Sequence, residues 1–282
     1  MAGLLRGELD RYDSKSRTLG PYLGGISAGG VDFSKDREWV AYASFPDSTL
    51  WRCKADGSDK LQLSYPPLQA VSPRWSPDGK EIAFDAIQPG KPARIYLVSA
   101  DGGAPHELMP GVNESQSRYD PVWSPDGGSI AFGGQGGDPD SAIHVLDLKT
   151  GHVSTLPGSK GLFHPRWSPD GCYIAAQAPH ALGLRLFDFK TQEWSVLTNR
   201  GVAAFPSRSH EGRYLYFLGA VTGPGVYRIR IPGGKVEQVL DLKGFQMTGY
   251  WGLWMGLTPD DSPLLLKDIG TQDIVSMDFH AP

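Results

Sequence analysis

The stretch SPRWSPDGKEIAF, residues 72–84, returns as DPVWSPDGGSIAF at 120–132 and as HPRWSPDGCYIAA at 164–176. Weaker copies are GVDFSKDREWVAY at 30–42, FPSRSHEGRYLYF at 205–217 and WMGLTPDDSPLLL at 254–266. With the tryptophan as marker, Phe33, Trp75, Trp123, Trp167, Arg208 and Leu257 follow one another at steps of 42, 48, 44, 41 and 49 residues. A period near 40–45 residues is that of propeller blades carrying small loop insertions. In Ser-Pro-Asp-Gly the proline presets φ at the second position and the glycine accepts positive φ at the fourth, giving a type I hairpin turn with a bulge. Residues on either side alternate with period two and read as strands. Each unit continues into a third strand (ARIYLVSADGG, AIHVLDLKTG) and a short fourth one (HELMP, STLP). Four antiparallel strands make one blade, so the expected fold is an all-β propeller, with the aromatic markers packed between blades.

The strand count does not close. Six first, second and fourth strands stand against seven third strands. The surplus lies at the N-terminus, where GELDRYDSKSRTLGPYL (7–23) reads as a third and fourth strand, while DIVSMDFHAP (273–282) reads as a third strand without a fourth. Either there are six four-stranded blades, with N- and C-terminal strands sharing the closing blade and TLGPYL lying opposite IVSMDF, or a seventh, partial blade begins upstream of Met1. The chain is treated as a single propeller domain, 1–282. Its expected blades are 27–69, 70–117, 118–160, 161–200, 201–246, and 247–282 completed by 7–23. Both readings begin in mid-repeat and point to a domain excised from a longer protein.

Composition narrows the function. A net charge of −4 gives no electrostatic case for nucleic acid or anionic membrane. No apolar run approaches the ~20 residues of a membrane helix, and Met1–Arg6 is too short for a secretory signal. The domain is therefore expected in the cytoplasm, or in the periplasm if a membrane span precedes it, and as a monomer. Cys53 and Cys172 lack metal-ligand spacing and the seven histidines form no HExxH, so neither metal nor cofactor is expected. Gly25-Ile26-Ser27-Ala28-Gly29 matches G-x-S-x-G by letter, but a strand follows where a nucleophile elbow needs a helix. The Gly-rich run 133–138 likewise precedes no helix that could cradle a phosphate.

The motif x-P-x-W-S-P-D-G-x-x-I-A-F resembles the WD-like repeat of TolB-type propellers. Ser209-His210-Glu211-Gly212 and Thr258-Pro259-Asp260-Asp261 depart from it. More narrowly, residues 6–36 and 260–279 are similar to C-terminal propellers attached to bacterial winged-helix transcriptional regulators or Ser/Thr protein kinases. That resemblance implies a sensor or interaction module.

The candidate site follows from geometry. First strands line a propeller's channel, and alternation sends every second residue inward. One level should carry Asp32, Arg74, Val122, Arg166, Ser207 and Gly256. The next should carry Gly30, Ser72, Asp120, His164, Phe205 and Trp254. Of these Arg74, Asp120, His164, Arg166, Asp32 and Trp254 are the predicted ligand-binding residues, since converging polar groups in a concavity mark a binding site. The competing reading pairs Arg74 and Asp120 across a solvated channel with no ligand. Trp51, Trp194, Tyr250, Trp251 and Trp254 are read as inter-blade packing, with a ligand-stacking surface as alternative. The expected function is non-catalytic binding of a peptide, protein or small ligand. The alternative is a metal-dependent, lactonase-like hydrolase, for which the channel set offers only Asp32 and Asp120 as acids.

Overall fold

The turns expected from the repeat are built alike six times. The hydroxyl of Ser34, Ser76, Ser124, Ser168 and Ser209 accepts the backbone N–H five residues on, at 2.8–3.0 Å. Thr258 does the same four residues on, at 3.0 Å. All six residues are buried, so the hydroxyl supplies the acceptor that a sealed turn N–H requires. The turn aspartates take a bond from the same hydroxyl and from a backbone N–H. Asp36, Asp78, Asp126 and Asp170 are thereby held below the usual carboxylate range. Gly212 (φ 71°) lies over the preceding blade's turn: a Cβ there would stand 3.0 Å from Pro169 Cδ. Proline and glycine of the motif thus meet between blades.

The structure is a computed structural model that describes residues 2–273 apart from 112–114, 137, 139, 180–182, 200 and 249–253. Its strands form six four-stranded antiparallel blades. Blade 1 comprises Ala28–Phe33, Trp39–Ser44, Leu50–Lys54 and Leu61–Gln62; blade 2 comprises Gln69–Trp75, Glu81–Ile87, Arg94–Ser99 and His106–Glu107. Blade 3 runs through Tyr119–Trp123, Ser129–Gly133, His144–Asp147 and Val153–Thr155, and blade 4 through Phe163–Trp167, Tyr173–Gln177, Leu184–Asp188 and Glu193–Thr198. Blade 5 holds Val202–Arg208, Tyr214–Ala220, Pro224–Arg230 and Val236–Asp241. Each first strand packs beside the next, and the sixth returns to the first.

Blade 6 decides between six blades and seven. Its order is Met255–Leu257, Pro263–Asp268, Gly7–Asp13, Thr18–Pro21. The N-terminus therefore supplies both outer strands, with Leu9 opposite Leu266 and Arg11 opposite Leu264. This corrects the pairing of TLGPYL with IVSMDF: Thr18–Pro21 pairs with Gly7–Asp13, and residues 274–279 lie outside the described residues. Thr271–Asp273 pairs instead with Ala2–Leu4 in a separate two-stranded sheet. The surplus third strand fills the vacant third place of blade 6.

Core side chains are shared between blades. Trp75, Ile82 and Phe84 pack with Ala41, Leu50 and Leu63 of blade 1; Trp123 joins Ala83 and Leu97 of blade 2. Leu9 and Leu264 join Val31, Val40, Tyr42 and Cys53 across the seam between blades 6 and 1. No described helix is long and apolar enough to cross a membrane.

Candidate functional site

In four successive blades the residue before a first-strand proline takes a left-handed backbone: Ser72 (φ 37°), Asp120 (55°), His164 (51°) and Phe205 (52°). The ladder slips at the same point each time, as between Val71 and Arg74 or between Phe163 and Arg166. A bulge inserts one residue and re-aims its side chain. Left-handed backbone at a non-glycine residue costs of order 1–3 kcal/mol and tends to persist at functional sites. The turned N–H must find a new acceptor. Asp120 N–H donates to Asp85 Oδ1 of blade 2 at 3.2 Å, and Phe205 N–H to Gln177 Oε1 of blade 4 at 3.3 Å.

These bulges bring four of the predicted residues together. The Asp120 carboxylate, only 4% exposed, accepts from Arg74 Nη2 at 3.1 Å and from Arg166 Nη1 at 2.7 Å. Proline carbonyls pin both cations: Arg74 Nη1 donates to Pro73 O at 2.7 Å, and Arg166 Nε to Pro206 O at 2.6 Å. Burial alone would raise the Asp120 carboxyl, but Arg166 and Arg74 outweigh it and hold the group below its usual range. Burial pushes His164 down, so the ring is neutral near pH 7. Its Nδ1 lies 3.1 Å from Gln177 Oε1, an oxygen already accepting from Phe205 N–H. That network assigns the proton to Nδ1 and leaves Nε2 as an acceptor 3.9 Å from Asp120 Oδ2.

Two predicted residues stand apart. Asp32 accepts the Trp75 N–H at 2.7 Å and ties blade 1 to blade 2, with burial raising its carboxyl. Trp254 packs into the seam between blades 6 and 1, its ring over Gly256, where a Cβ would stand 2.5 Å from Cζ2. Tyr250 and Trp251 lie outside the described residues. Of the other aromatics, Trp194 packs against Phe187 and donates to Pro157 O at 2.8 Å, and Trp51 packs into the seam cluster. Asp85 and Gln177 were missed by strand alternation. Each is a polar residue that follows an apolar run in its second strand, IAF before Asp85 and IAA before Gln177, and that was the signal.

Asp85 is a buried acid beside an ionised one. Burial, reinforced by Asp120, raises its pKa to about 7. A carboxyl raised in the folded state costs nothing below its unfolded pKa near 4, and its cost grows until the pH passes about 7. Between pH 5 and 8 this group should remove roughly 2.5 kcal/mol of stability at 1.36 kcal/mol per unit. In Asp85→Asn the amide oxygen keeps the Asp120 N–H bond, and urea unfolding should show that much of the pH dependence gone. A variant with the parent's pH profile would refute this assignment.

The TolB beta propeller domain model matches residues 30–255, from within the first strand of blade 1 to the start of the first strand of blade 6. The chain belongs to the TolB β-propeller family. Among solved structures this TolB-like propeller is similar to the putative TolB of Agrobacterium tumefaciens, with a TM-score of 0.75 at 19% identity over 94% of this chain and 99% of that one. An oligogalacturonate lyase in complex with manganese gives 0.63 at 16% identity, covering 94% and 85%. At such identities the likeness is one of fold. In sequence, 54 residues are 39% identical to the Tol-Pal system protein TolB of Syntrophus aciditrophicus (strain SB), and 61 are 30% identical to the uncharacterized peptidase YuxL of Bacillus subtilis (strain 168). The matched stretches cover 19% and 22% of this TolB-like chain, and 12% and 9% of those relatives' own lengths.

Proposed function

We propose that this propeller is a non-catalytic binding module that holds an acidic group of a protein or peptide partner at its channel. The observation that carries this reading is the Arg74–Asp120–Arg166 cluster. Two guanidiniums face one firmly ionised carboxylate, while the neighbouring Asp32 and Asp85 are pushed by burial toward their neutral forms. Taken by themselves, the three side chains set two cations against one anion. Arg166 Nη2 and Arg74 Nε make no hydrogen bond among the described residues, and neither is sealed from water. An incoming carboxylate would meet two pre-aimed cations without reorganising them.

The hydrolase reading draws less support. Among the described residues no three His, Cys, Asp or Glu side chains converge as metal ligands do. The similarity of residues 6–36 and 260–279 to propellers of bacterial regulators extends the proposal to a sensor role within a signalling protein. A doubly blocked peptide carrying two glutamates should raise the melting temperature of the intact chain and leave that of Arg74→Ala plus Arg166→Ala unmoved. Equal stabilisation of both proteins would sink the channel reading.

A further inference from the structure

The seam between blades 5 and 6 departs from the others at its motif-turn end. In blades 1 to 5 the residue just past the third strand is apolar and ties back to the turn. The N–H groups of Ala55, Ala100, Leu148, Phe189 and Ile231 donate to Glu38 O, Lys80 O, Gly128 O, Cys172 O and Arg213 O at 2.8–3.1 Å. The equivalent residue of blade 6 is Ser14, exposed, and among the described residues its N–H makes no bond. The turn explains this. Ser168 N–H reaches Tyr173 O five residues on, whereas Thr258 N–H reaches Ser262 O four residues on. The blade 6 turn is one residue shorter, and the residue it omits is the one whose carbonyl the other blades use.

The same place has lost its ring. Each marker residue packs toward the preceding blade, and Trp167 is stacked on Phe189 with ring centroids 5.4 Å apart. Blade 6 has Leu257 and Ser14 in those two positions. In blades 4 and 5 the marker also donates to the positive-φ residue of its own turn, Trp167 Nε1 to Gly171 O and Arg208 Nη1 to Gly212 O, each at 3.4 Å. In blade 6 that residue is Asp261 (φ 62°), whose carbonyl accepts nothing among the described residues. Where ring, cap and bond are all missing, a hollow of about 390 Å³ opens, sharing no residue with the channel cluster. Tyr214 and Tyr216 form its blade 5 wall, with the Arg228 guanidinium 4.6 Å over the Tyr214 ring, and Tyr12 and Pro263 form its blade 6 wall. Glu211, Arg213 and Asp260 stand exposed around it.

We infer that this hollow is a receptor for a tryptophan side chain of a partner peptide, which supplies from outside the ring that blade 6 lacks. A slot with aromatic side chains on both walls suits a flat ring. The Asp261 carbonyl is the acceptor for the indole N–H, as Gly171 O is for Trp167. The charged rim meets the main chain that flanks the ring, so a peptide gains contacts there that a free ring does not.

Calorimetry with acetyl-Gly-Trp-Gly-amide tests it. The intact chain should bind one equivalent with a Kd on the order of 1 mM, and the leucine counterpart should bind at least about tenfold more weakly. Leu257→Trp plus Ser14→Phe rebuilds the pair seen in blade 4; it should abolish binding and raise the melting temperature by about 2–4 °C, as filling a cavity does. Should that variant fail to fold, Ser14→Phe alone, at an exposed turn position, decides the matter by a loss of at least about tenfold. The Arg74→Ala plus Arg166→Ala variant should bind the peptide as the parent does, which separates this site from the channel. No heat with the parent, equal affinity for the leucine peptide or for free indole, or undiminished binding by the filled variants overturns the inference.

Discussion

Replacing Asp120 with asparagine is expected to destabilise the fold by about 3–5 kcal/mol, the range for removing one partner from a buried ion pair. Asparagine tolerates the left-handed backbone that Asp120 adopts at φ 55°, so the substitution changes charge and leaves the bulge in place. It leaves Arg74 and Arg166, with side chains 15% and 12% exposed, facing a neutral amide. The pH dependence carries a definite sign. Asp120 is lowered in the folded state, so its contribution is complete above the unfolded pKa near 3.9 and fades as pH falls through the folded value. Parent and variant should converge in acid. Urea unfolding followed by tryptophan fluorescence measures this, and converting Arg74 and Arg166 to methionine in the Asp120→Asn background should restore much of the loss. A loss under about 1 kcal/mol would mean that channel water screens the cluster, and the pre-aimed cations of the proposed site would not exist as described.

Deleting residues 1–23 should have the larger effect, abolishing cooperative folding of the isolated chain. The deletion takes both outer strands from blade 6. It uncovers the edge of Pro263–Asp268, whose Leu264, Leu265 and Leu266 are fully buried in the intact ring. It also removes Leu9 from the cluster that seals blade 6 to blade 1. An open apolar edge of this kind pairs with other chains, so size-exclusion chromatography should show aggregates in place of monomer. A synthetic peptide of residues 7–23 added in trans should restore a compact monomer by strand addition. A truncated chain that unfolds with the parent's midpoint would show that the seam is dispensable. Leu9→Ala, a milder probe of the same seam, should cost about 2–5 kcal/mol.

The repeat was legible because its chemistry is local. Ser76, Pro77, Asp78 and Gly79 each perform their part within one turn or against the next, and the same hydroxyl bond survives in eroded copies such as Ser209 and Thr258. Closure was harder to read, because GELDRYD and DIVSMDF alternate equally well and nothing local says which of them pairs with PLLLKD. In the candidate site, alternation placed Arg74, Asp120, His164 and Arg166 together. What aims Asp120 and His164 is a bulge ahead of a proline, a conformation that the residue before proline ordinarily avoids. The acceptors for the turned N–H groups of Asp120 and Phe205, Asp85 and Gln177, sit on second strands and were invisible to a first-strand argument. Asp32 and Trp254 met the same alternation rule, yet one is consumed by the Trp75 N–H and the other by the seam.

The stitching of blade 6 also sets a schedule for a chain emerging from a ribosome. Leu9 is made 257 residues ahead of Leu266, its partner. At roughly 5–20 residues per second the wait is on the order of 10–50 s. Blades 1 to 5 each hold all four of their strands within one continuous stretch and are free to form in turn as they appear. Gly7–Asp13 is made ahead of all five of them, yet its inner edge waits for Pro263–Asp268.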